Sequence, residues 1–228
     1  MPNIQAEQSN SSYEKKYQSG YGLQYPDAQV IRLYEKFLKY EYGFTSGKML
    51  DIGCGIGQHL SYFKSKGFET YGFEFASTAV SQAKQNFPDV ASNIKVGDFI
   101  KKIDYFDGLK FDFIFSNQVL YYADRKQLEI AINEIDKVLN PGGLVYFTMI
   151  GTKSYYYDNS FPLPNSDLRR VTLKGRLNEV TDILFMDNEQ QLVDTFNLFD
   201  PLFVGHYDIS MREGSGFHYQ YLGRKRNK

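Results

Sequence analysis

A short glycine-rich stretch, residues 49–58 (MLDIGCGIGQ), constrains the fold of this chain more than any other part of its sequence. It begins with an apolar run that ends in Asp51, as a buried strand does, and it continues as Gly-x-Gly-x-Gly. Closely spaced glycines let the main chain turn sharply after a strand and let a ligand lie against bare backbone. The stretch therefore predicts a strand, a tight turn and a helix, with a nucleotide-like ligand at the turn.

The spacing of the glycines distinguishes between ligands. A dinucleotide-binding turn follows the pattern Gly-x-Gly-x-x-Gly, whose third glycine lets the next helix pack closely on the strand. Here the third glycine is Gly57, one residue early, and Gln58 occupies the position that the pattern requires. A nicotinamide-dependent dehydrogenase is therefore the less favoured interpretation.

The residues after the turn complete a strand–helix–strand unit. Residues 57–66 have helical spacing and lead to Gly67, and residues 68–74 alternate apolar and polar before ending in Glu74. A carboxylate at the end of this second strand can accept hydrogen bonds from both hydroxyls of a ribose. The position of Glu74 therefore predicts a ligand that contains a nucleoside.

Four motifs, taken in order, resemble those of the class I S-adenosylmethionine-dependent methyltransferases. The first is the glycine turn with Glu74 at the end of the following strand. The other three stand at the distances usual in that family: residues 96–99 (VGDF), 111–118 (FDFIFSNQ) and 139–144 (LNPGGL). The resemblance covers roughly residues 45–150, and it implies S-adenosylmethionine as cofactor and S-adenosylhomocysteine as product.

The alternation of strands and helices predicts an α/β fold, a Rossmann-like, seven-stranded, mostly parallel sheet with helices on both faces. The predicted strands are 48–52, 68–74, 94–97, 111–116, 143–150, 202–210 and 217–223, and the predicted helices are 57–66, 76–86, 124–139 and 188–199. The resemblance implies that the last strand is antiparallel and lies beside the fifth. The motifs then lie at the carboxyl ends of strands, where ligands bind in open sheets of this kind.

The prediction divides the chain into a flap and a domain. Residues 1–44 form an N-terminal tail and an aromatic, partly helical flap, and residues 45–228 form the S-adenosylmethionine-binding domain. Within that domain, residues 151–187 form a substrate-facing insertion, since a connection of this length either folds on itself or covers a site. Its residues 171–173 and 179–185 are compatible with a strand pair or with a loop containing one short helix.

The N-terminal residues 1–12 are polar and aperiodic, as is typical of disordered segments. Beyond them, tyrosines recur every four residues at Tyr13, Tyr17, Tyr21 and Tyr25. Aromatic faces attract cations, so these rings suit a lid over a sulfonium ligand. The sequence leaves open whether they form such a lid or only pack against the domain.

The resemblance assigns cofactor-binding residues to the predicted strand ends. They are Asp51, Gly53, Cys54, Gly55, His59, Glu74, Phe75, Asp98, Phe99, Ser116, Asn117 and Gln118. It implies backbone contacts from the glycines, ribose binding by Glu74 and adenine contacts from Phe75 and Asp98. The alternatives are that Asp98 caps the following turn and that Phe75 belongs to the core. For Cys54, the single cysteine, a small side chain that fits a tight turn is favoured over a reactive thiol.

The catalytic residues are not identified by the sequence. Methyl transfer from a sulfonium is an in-line displacement that depends chiefly on alignment, and a base is needed only where the acceptor atom carries a proton. The candidates are Tyr17, Tyr121, His206 and His218, with His59 as a neighbour of the cofactor. Since no carboxylate cluster of magnesium type is evident, no metal site is predicted.

Composition limits the partners. The net charge is −1, with 26 basic and 27 acidic residues, so no general affinity for nucleic acid is expected. The sequence has no apolar run of about 20 residues that would span a bilayer, and its N-terminus is too polar for a signal peptide. We therefore expect a cytoplasmic protein with a small-molecule acceptor and no membrane partner, whose oligomeric state is unknown.

Two functions remain open at this point. The favoured one is methyl transfer from S-adenosylmethionine to a small or mid-sized acceptor. The alternative is a non-catalytic module that binds S-adenosylmethionine for regulation, because such a module would keep the same motifs.

Overall fold

The computed structural model of this protein describes residues 14–22, 24–174, 179–210 and 212–226. Its strands are β1 (Gly47–Ile52), β2 (Phe68–Glu74), β3 (Ile94–Val96), β4 (Phe111–Ser116), β5 (Leu139–Ile150), β6 (Ser160–Pro162), β7 (Arg169–Leu173), β8 (Glu179–Ile183), β9 (Phe199–Asp208) and β10 (Phe217–Lys225). Its helices are α1 (Ala28–Arg32, continued by a π-helical segment, Leu33–Glu41), α2 (Gln58–Ser65), α3 (Ser77–Asn86), α4 (Arg125–Val138), α5 (Tyr155–Asp158) and α6 (Glu189–Thr195).

Seven strands form one sheet in the order β3-β2-β1-β4-β5-β10-β9. The pairs among β1 to β5 are parallel, whereas β10 is antiparallel to both β5 and β9. The predicted α/β class and the antiparallel last strand beside the fifth are therefore confirmed. Because β1 and β4 are neighbours while the chain crosses over between β3 and β4, the carboxyl ends of β1 and β4 flank a switch point, where such sheets bind ligands.

Apolar side chains cover both faces of the sheet. On one face, α1 and its continuation bury Val30 and Leu38 against Phe113 and Tyr146 of the strands. On the other face, α4 buries a stripe that includes Ile135, within a larger cluster of aliphatic and aromatic residues. Burial on both faces explains why the central strands are almost continuously apolar.

Two predicted boundaries differ from the observed ones by four residues. The fifth strand begins at Leu139 rather than at residue 143, so residues 141–143 lie within the strand instead of in a turn. The register between β4 and β5 shifts between Phe111 and Phe113, and this bulge accommodates the extra residues. The helix predicted over 188–199 ends at Thr195, because the chain after it enters β9 and buries Phe199 in the core.

The segment between β5 and α6 contains a small three-stranded antiparallel sheet in the order β6-β7-β8. Of the two alternatives for residues 171–173 and 179–185, the strand pair is therefore the one observed. Its two ends meet, since the amide of Met186 donates to the carbonyl of Ile150 over 3.0 Å and the amide of Thr152 donates to the carbonyl of Met186 over 3.0 Å. The predictions for residues 1–12 and for Tyr13 lie outside the described residues. Within the described ranges, none of the helices has the length and apolar character needed to cross a membrane.

Candidate functional site

A cavity of about 860 Å³ opens at the carboxyl ends of β1, β2 and β4. The N-terminal segment (residues 14–22) contributes Tyr17 and Tyr21 to its wall, α5 contributes Tyr156, and β8 of the small sheet contributes Glu179. Twelve of the residues singled out from the sequence line it: Tyr17, Gly53, Cys54, Gly55, His59, Glu74, Phe75, Asp98, Phe99, Asn117, Gln118 and Tyr121.

The glycine turn after β1 presents backbone to this cavity. Gly53 has a φ of 76°, and a Cβ placed there would lie 2.4 Å from the side chain of Val119. Gly55 has a φ of 52°, and among the described residues a Cβ there would meet the Tyr17 hydroxyl, at 3.3 Å. Both positions therefore favour glycine: each has a left-handed backbone, Gly53 allows close packing against Val119, and Gly55 allows close approach to the Tyr17 hydroxyl on the cavity wall.

Glu74 closes the turn from the end of β2. Its Oε2 accepts a hydrogen bond from the Gly55 amide over 3.3 Å, and its Oε1 accepts one from the Ala76 amide over 3.0 Å. Burial raises the pKa of Glu74 to about 7, against the opposing effect of these amides. Each carboxylate oxygen has a further lone pair for a donor from a ligand, such as a ribose hydroxyl.

Two predicted binding residues lie beneath the wall rather than on it. The Asp51 side chain is buried, burial raises its pKa to about 7, and its Oδ2 has no hydrogen-bond partner among the described residues. The Ser116 hydroxyl donates to the carbonyl of Ile52 over 3.0 Å and so fixes β4 against β1. Neither residue lines the cavity, so the structure places both in the layer that supports the turn.

The third motif places Asp98 and Phe99 on the cavity wall beside Phe75. Asp98 Oδ1 accepts from the Ile100 amide over 3.0 Å, and its Oδ2 lies 3.4 Å from Lys101 Nζ. Asp98 thus caps the turn, as the alternative interpretation held, and it also faces the cavity. Its carboxylate can serve both purposes, since each oxygen accepts more than one hydrogen bond.

A polar cluster occupies the floor between α1, α2 and β4. Asn117 Nδ2 donates to Asp27 Oδ2 over 2.9 Å, and His59 Nε2 lies 3.6 Å from the same oxygen. Burial opposes the ionisation of Asp27, but the neighbouring His59 and Asn117 outweigh it and lower the pKa of Asp27. Asp27 is therefore a charged carboxylate on the wall of the cavity, in contact with an imidazole.

Gln118 adopts a conformation that is unfavourable for a residue with a side chain. Its φ is 61°. Its backbone amide donates to the Thr148 hydroxyl over 2.7 Å, and its side-chain Nε2 donates to the Tyr207 hydroxyl over 3.2 Å. A left-handed backbone at a non-glycine residue costs about 1 to 3 kcal/mol and is concentrated at functional sites. These two hydrogen bonds hold the loop after β4 in place.

The two terminal histidines have different surroundings. His218 packs under Tyr121 and Tyr207, its Nδ1 donates to the Gly216 carbonyl over 3.0 Å, and burial lowers its pKa to about 4. It is therefore a neutral imidazole just below the wall. His206 lies half exposed on β9, with its Nδ1 3.3 Å from Glu189, and it does not line the cavity. Its position at an exposed edge strand removes it from the candidate bases.

The tyrosine candidates both line the cavity. Burial raises the pKa of Tyr17 and that of Tyr121 well above the usual value. Both phenols therefore remain protonated at neutral pH. They can orient a ligand through their hydroxyl groups, but neither is suited to serve as a base.

Several lining residues were missed by sequence reasoning. Asp27 was not among the predicted site residues, and Glu179 and Thr181 were only part of a segment compatible with a strand pair or a loop. The sequence of 179–183 (EVTDI) has no apolar alternation that would mark Glu179 and Thr181 as buried. The hydrogen bond from the Leu184 amide to the distant Tyr121 carbonyl holds the end of this strand at the cavity, and local pattern does not reveal such a contact. Within the described ranges, no group of three His, Cys, Asp or Glu side chains is placed to hold a metal ion.

Comparison with known proteins finds a methyltransferase domain in this chain. Residues 50–147 match the family model described as a methyltransferase domain. The chain is 29% identical over 102 residues to the dTDP-3-amino-3,4,6-trideoxy-alpha-D-glucopyranose N,N-dimethyltransferase of Streptomyces venezuelae, a match that covers 44% of this chain and 41% of that protein. The chain thus spans about two fifths of the length of the curated relatives it matches first.

Solved structures share the fold. A methyltransferase of Methanosarcina mazei, described as dependent on S-adenosylmethionine (SAM), superposes with a TM-score of 0.66 at 22% identity, over 81% of this chain and 94% of that one. The 1,6-didemethyltoxoflavin-N1-methyltransferase of Burkholderia thailandensis, solved with S-adenosylhomocysteine, superposes with a TM-score of 0.68 at 15% identity, over 100% of this chain and 91% of that one. With the sheet order and the glycine turn, these findings show a methyltransferase domain over residues 50–147 and the fold of the class I S-adenosylmethionine-dependent methyltransferases, whose cofactor is S-adenosylmethionine.

Proposed function

We propose that this protein transfers a methyl group from S-adenosylmethionine to a small or mid-sized acceptor inside the cavity. The observation that carries this proposal is the composition of the wall. One end consists of the glycine turn, Glu74 and Asp98, and the other end consists of tyrosines and unpartnered polar atoms from the small sheet. A cavity of about 860 Å³ is at the upper end of the range for small-molecule sites, which leaves room for a cofactor and an acceptor.

The residues at the first end fit the cofactor. Gly55 presents bare backbone to the cavity, and the Glu74 carboxylate lies next to it with lone pairs available for ribose hydroxyls. Asp98 and Phe99 would contact the adenine, and Phe75 would cover its face. Asp51, which lies beneath the turn, would act on the bound methionyl group through the turn or through water.

The protein's own contribution to the reaction is alignment, exclusion of water and control of a proton. When bound, S-adenosylmethionine would supply an electrophilic methyl group to a lone pair of the acceptor. The methyl–sulfur bond would break with its electron pair left on sulfur, which gives S-adenosylhomocysteine. Tyr17 and Tyr21 cover the cavity and keep water from it. Where the acceptor atom carries a proton, Asp27 with His59 is the carboxylate–imidazole pair placed to receive it.

Cofactor binding is tested by calorimetry on the whole chain with S-adenosylmethionine, S-adenosylhomocysteine and NAD. We expect the first two to bind and Glu74→Ala to weaken them by roughly 1 to 3 kcal/mol, the cost of losing a hydrogen-bonded charged group. Glu69→Ala is the matched control, because Glu69 lies on the same strand with its side chain 54% exposed. Binding of NAD in place of S-adenosylmethionine, or equal affinities in the two variants, would contradict the proposal.

Turnover distinguishes the enzyme from a regulatory module. The measurement is formation of S-adenosylhomocysteine during incubation with panels of small acceptors. Cofactor binding without turnover on any panel, together with a cofactor-dependent change in oligomeric state or partner binding, would favour the module.

A further inference from the structure

The end of the cavity opposite the glycine turn contains two polar groups that lack partners. Glu179 and Thr181 lie on the same face of β8, and their exposed fractions are 3% and 5%. Within the part of the chain that the structure describes, neither Glu179 Oε1 nor Thr181 Oγ1 has a hydrogen-bond partner, although both residues line the cavity. Buried polar atoms are rarely left unpaired, so this pair indicates a ligand that brings hydrogen-bond donors.

The second oxygen of Glu179 shows which donors suit this place. The Lys16 ammonium lies 2.7 Å from Glu179 Oε2 and 5.5 Å from the centre of the Tyr21 ring. The Tyr156 hydroxyl donates to the same oxygen over 3.3 Å. A carboxylate bounded by aromatic rings therefore already holds one ammonium group, and its free oxygen points to a second positively charged donor.

The charge of the whole wall agrees with this. Among the described lining residues, the carboxylates are Asp27, Glu74, Asp98, Asp124, Glu179 and Asp182, and the permanently charged cations are Lys101 and Arg170. The Arg170 guanidinium is already engaged, because it donates two hydrogen bonds to Asp182, over 2.8 and 2.9 Å. An anionic acceptor would therefore meet a surplus of like charge, whereas a cationic one would be attracted.

We propose that the acceptor carries an amino group, which Glu179 Oε1 and Thr181 Oγ1 bind within the wall formed by Tyr21, Tyr121 and Tyr156. This inference rests on the proposed function, since it assigns the other end of the same cavity to S-adenosylmethionine. A protonated amine has no lone pair to attack a methyl group. The contact at Glu179 therefore selects and orients the acceptor and is not the reacting centre.

The test uses two probes of matched shape, cyclohexylamine and cyclohexanol, titrated into the full chain by NMR at pH 7 with and without S-adenosylhomocysteine. We expect the amine to bind about tenfold more tightly than the alcohol, the effect of one charged hydrogen bond. Glu179→Gln should abolish this preference and leave the affinity for S-adenosylhomocysteine unchanged. Glu189→Gln is the control, since Glu189 is a half-exposed carboxylate beside His206 and should behave as wild type.

Two further variants separate the possible outcomes. Lys16→Met should retain the preference for the amine. If this variant loses the preference, Glu179 serves only to hold Lys16. Thr181→Val should weaken amine binding, and it provides the test if Glu179→Gln does not fold. Equal binding of both probes by the wild type, or an amine preference that survives in Glu179→Gln, would overturn the inference. Failure of S-adenosylhomocysteine to bind would instead overturn the proposed function, because the amine preference is also measured without it.

Discussion

Gly55 stands where the main chain, Glu74 and the cavity meet. Its amide donates to the Glu74 carboxylate, its φ is 52°, and a Cβ there would lie 3.3 Å from the Tyr17 hydroxyl. The residue therefore combines a left-handed backbone, a hydrogen bond that fixes the acid, and a close approach to the cavity wall. The left-handed backbone and the close approach each disfavour a larger side chain for a separate physical reason.

We expect Gly55→Val to lower the affinity for S-adenosylhomocysteine more than tenfold, because the added side chain would occupy space assigned to the ligand. The backbone cost of a side chain in the left-handed region is about 1 to 2 kcal/mol and lowers stability as well. Gly108→Val separates the two effects, since Gly108 has a φ of 80° and a Cβ there would meet no described atom within 4 Å. Calorimetry should show normal binding for Gly108→Val, and equal losses in the two variants would refute close approach at Gly55.

At the scale of elements, sequence pattern predicted the fold well wherever local chemistry decides it. The strands ending in Ile52, Glu74 and Ser116 were predicted nearly to the residue, because apolar runs and turn residues mark such strands. Tertiary contacts decided the rest: the bulge before residue 144 follows from the register with β4, and the place of β8 follows from the hydrogen bond that the Leu184 amide donates to the Tyr121 carbonyl over 2.8 Å. These partners are far apart in the sequence, so the residues at the glycine turn were predicted more fully than those of β8.

The N-terminal segment is attached by a helix cap supplied from far along the chain. The residue before α3 is Ala76, whose side chain cannot accept a hydrogen bond. Glu14 takes this role: its Oε1 accepts from the Ser77 amide over 2.6 Å, and its Oε2 accepts from the Thr78 amide over 3.2 Å. Gln82 of the same helix donates to the Tyr17 carbonyl over 2.9 Å. The first turns of α3 therefore hold this segment over the cavity.

We expect Glu14→Ala to lower the free energy of unfolding by about 1 kcal/mol and to speed the release of S-adenosylhomocysteine roughly fivefold. The reason is that loss of the cap loosens the segment that carries Tyr17. Stopped-flow displacement measures the release rate. Asn188→Ala removes a comparable cap, in which Asn188 Oδ1 accepts from the Gln191 amide over 2.9 Å at the start of α6. That control should lose similar stability and release the ligand at the wild-type rate. An unchanged rate in Glu14→Ala would show that the segment packs on the domain without acting as a lid.

At the scale of the whole molecule, the site is assembled at a cost to stability. Asp51 and Glu74 are buried in the same region, and burial raises the pKa of each to about 7. In the ligand-free protein, each carboxylate is therefore destabilising once it ionises. A ligand that donates hydrogen bonds to Glu74 offsets part of this cost, so binding and ionisation are coupled.

This coupling predicts how stability depends on pH. The pKa of Glu74 is raised from its usual 4.5 to about 7, so the folded protein favours the protonated carboxyl. The resulting contribution to the free energy of unfolding is fully present below pH 4.5 and is lost as the pH rises through about 7. Glu74→Gln carries no such proton, and we expect its stability relative to the ligand-free wild type to rise by up to about 3 kcal/mol between pH 4.5 and pH 8. Urea unfolding across this range measures the difference. Glu129→Gln, at an exposed position on α4, should follow the wild type, and a pH-independent difference for Glu74→Gln would contradict the assignment.

The junction at Gly151 and Met186 has a consequence for how this protein can change over evolutionary time. The two ends of the segment between these residues are paired, so the segment is a closed loop. The entropy cost of closing such a loop grows only slowly with its length, and a longer or different segment would therefore be tolerated. The segment does share the core, through residues such as Val171 and Ile183, so a replacement must keep those apolar contacts. Within that limit, exchange of one continuous stretch of gene can change the residues that this segment adds to the cavity wall, while the register of the seven-stranded sheet and the glycine turn stays as it is.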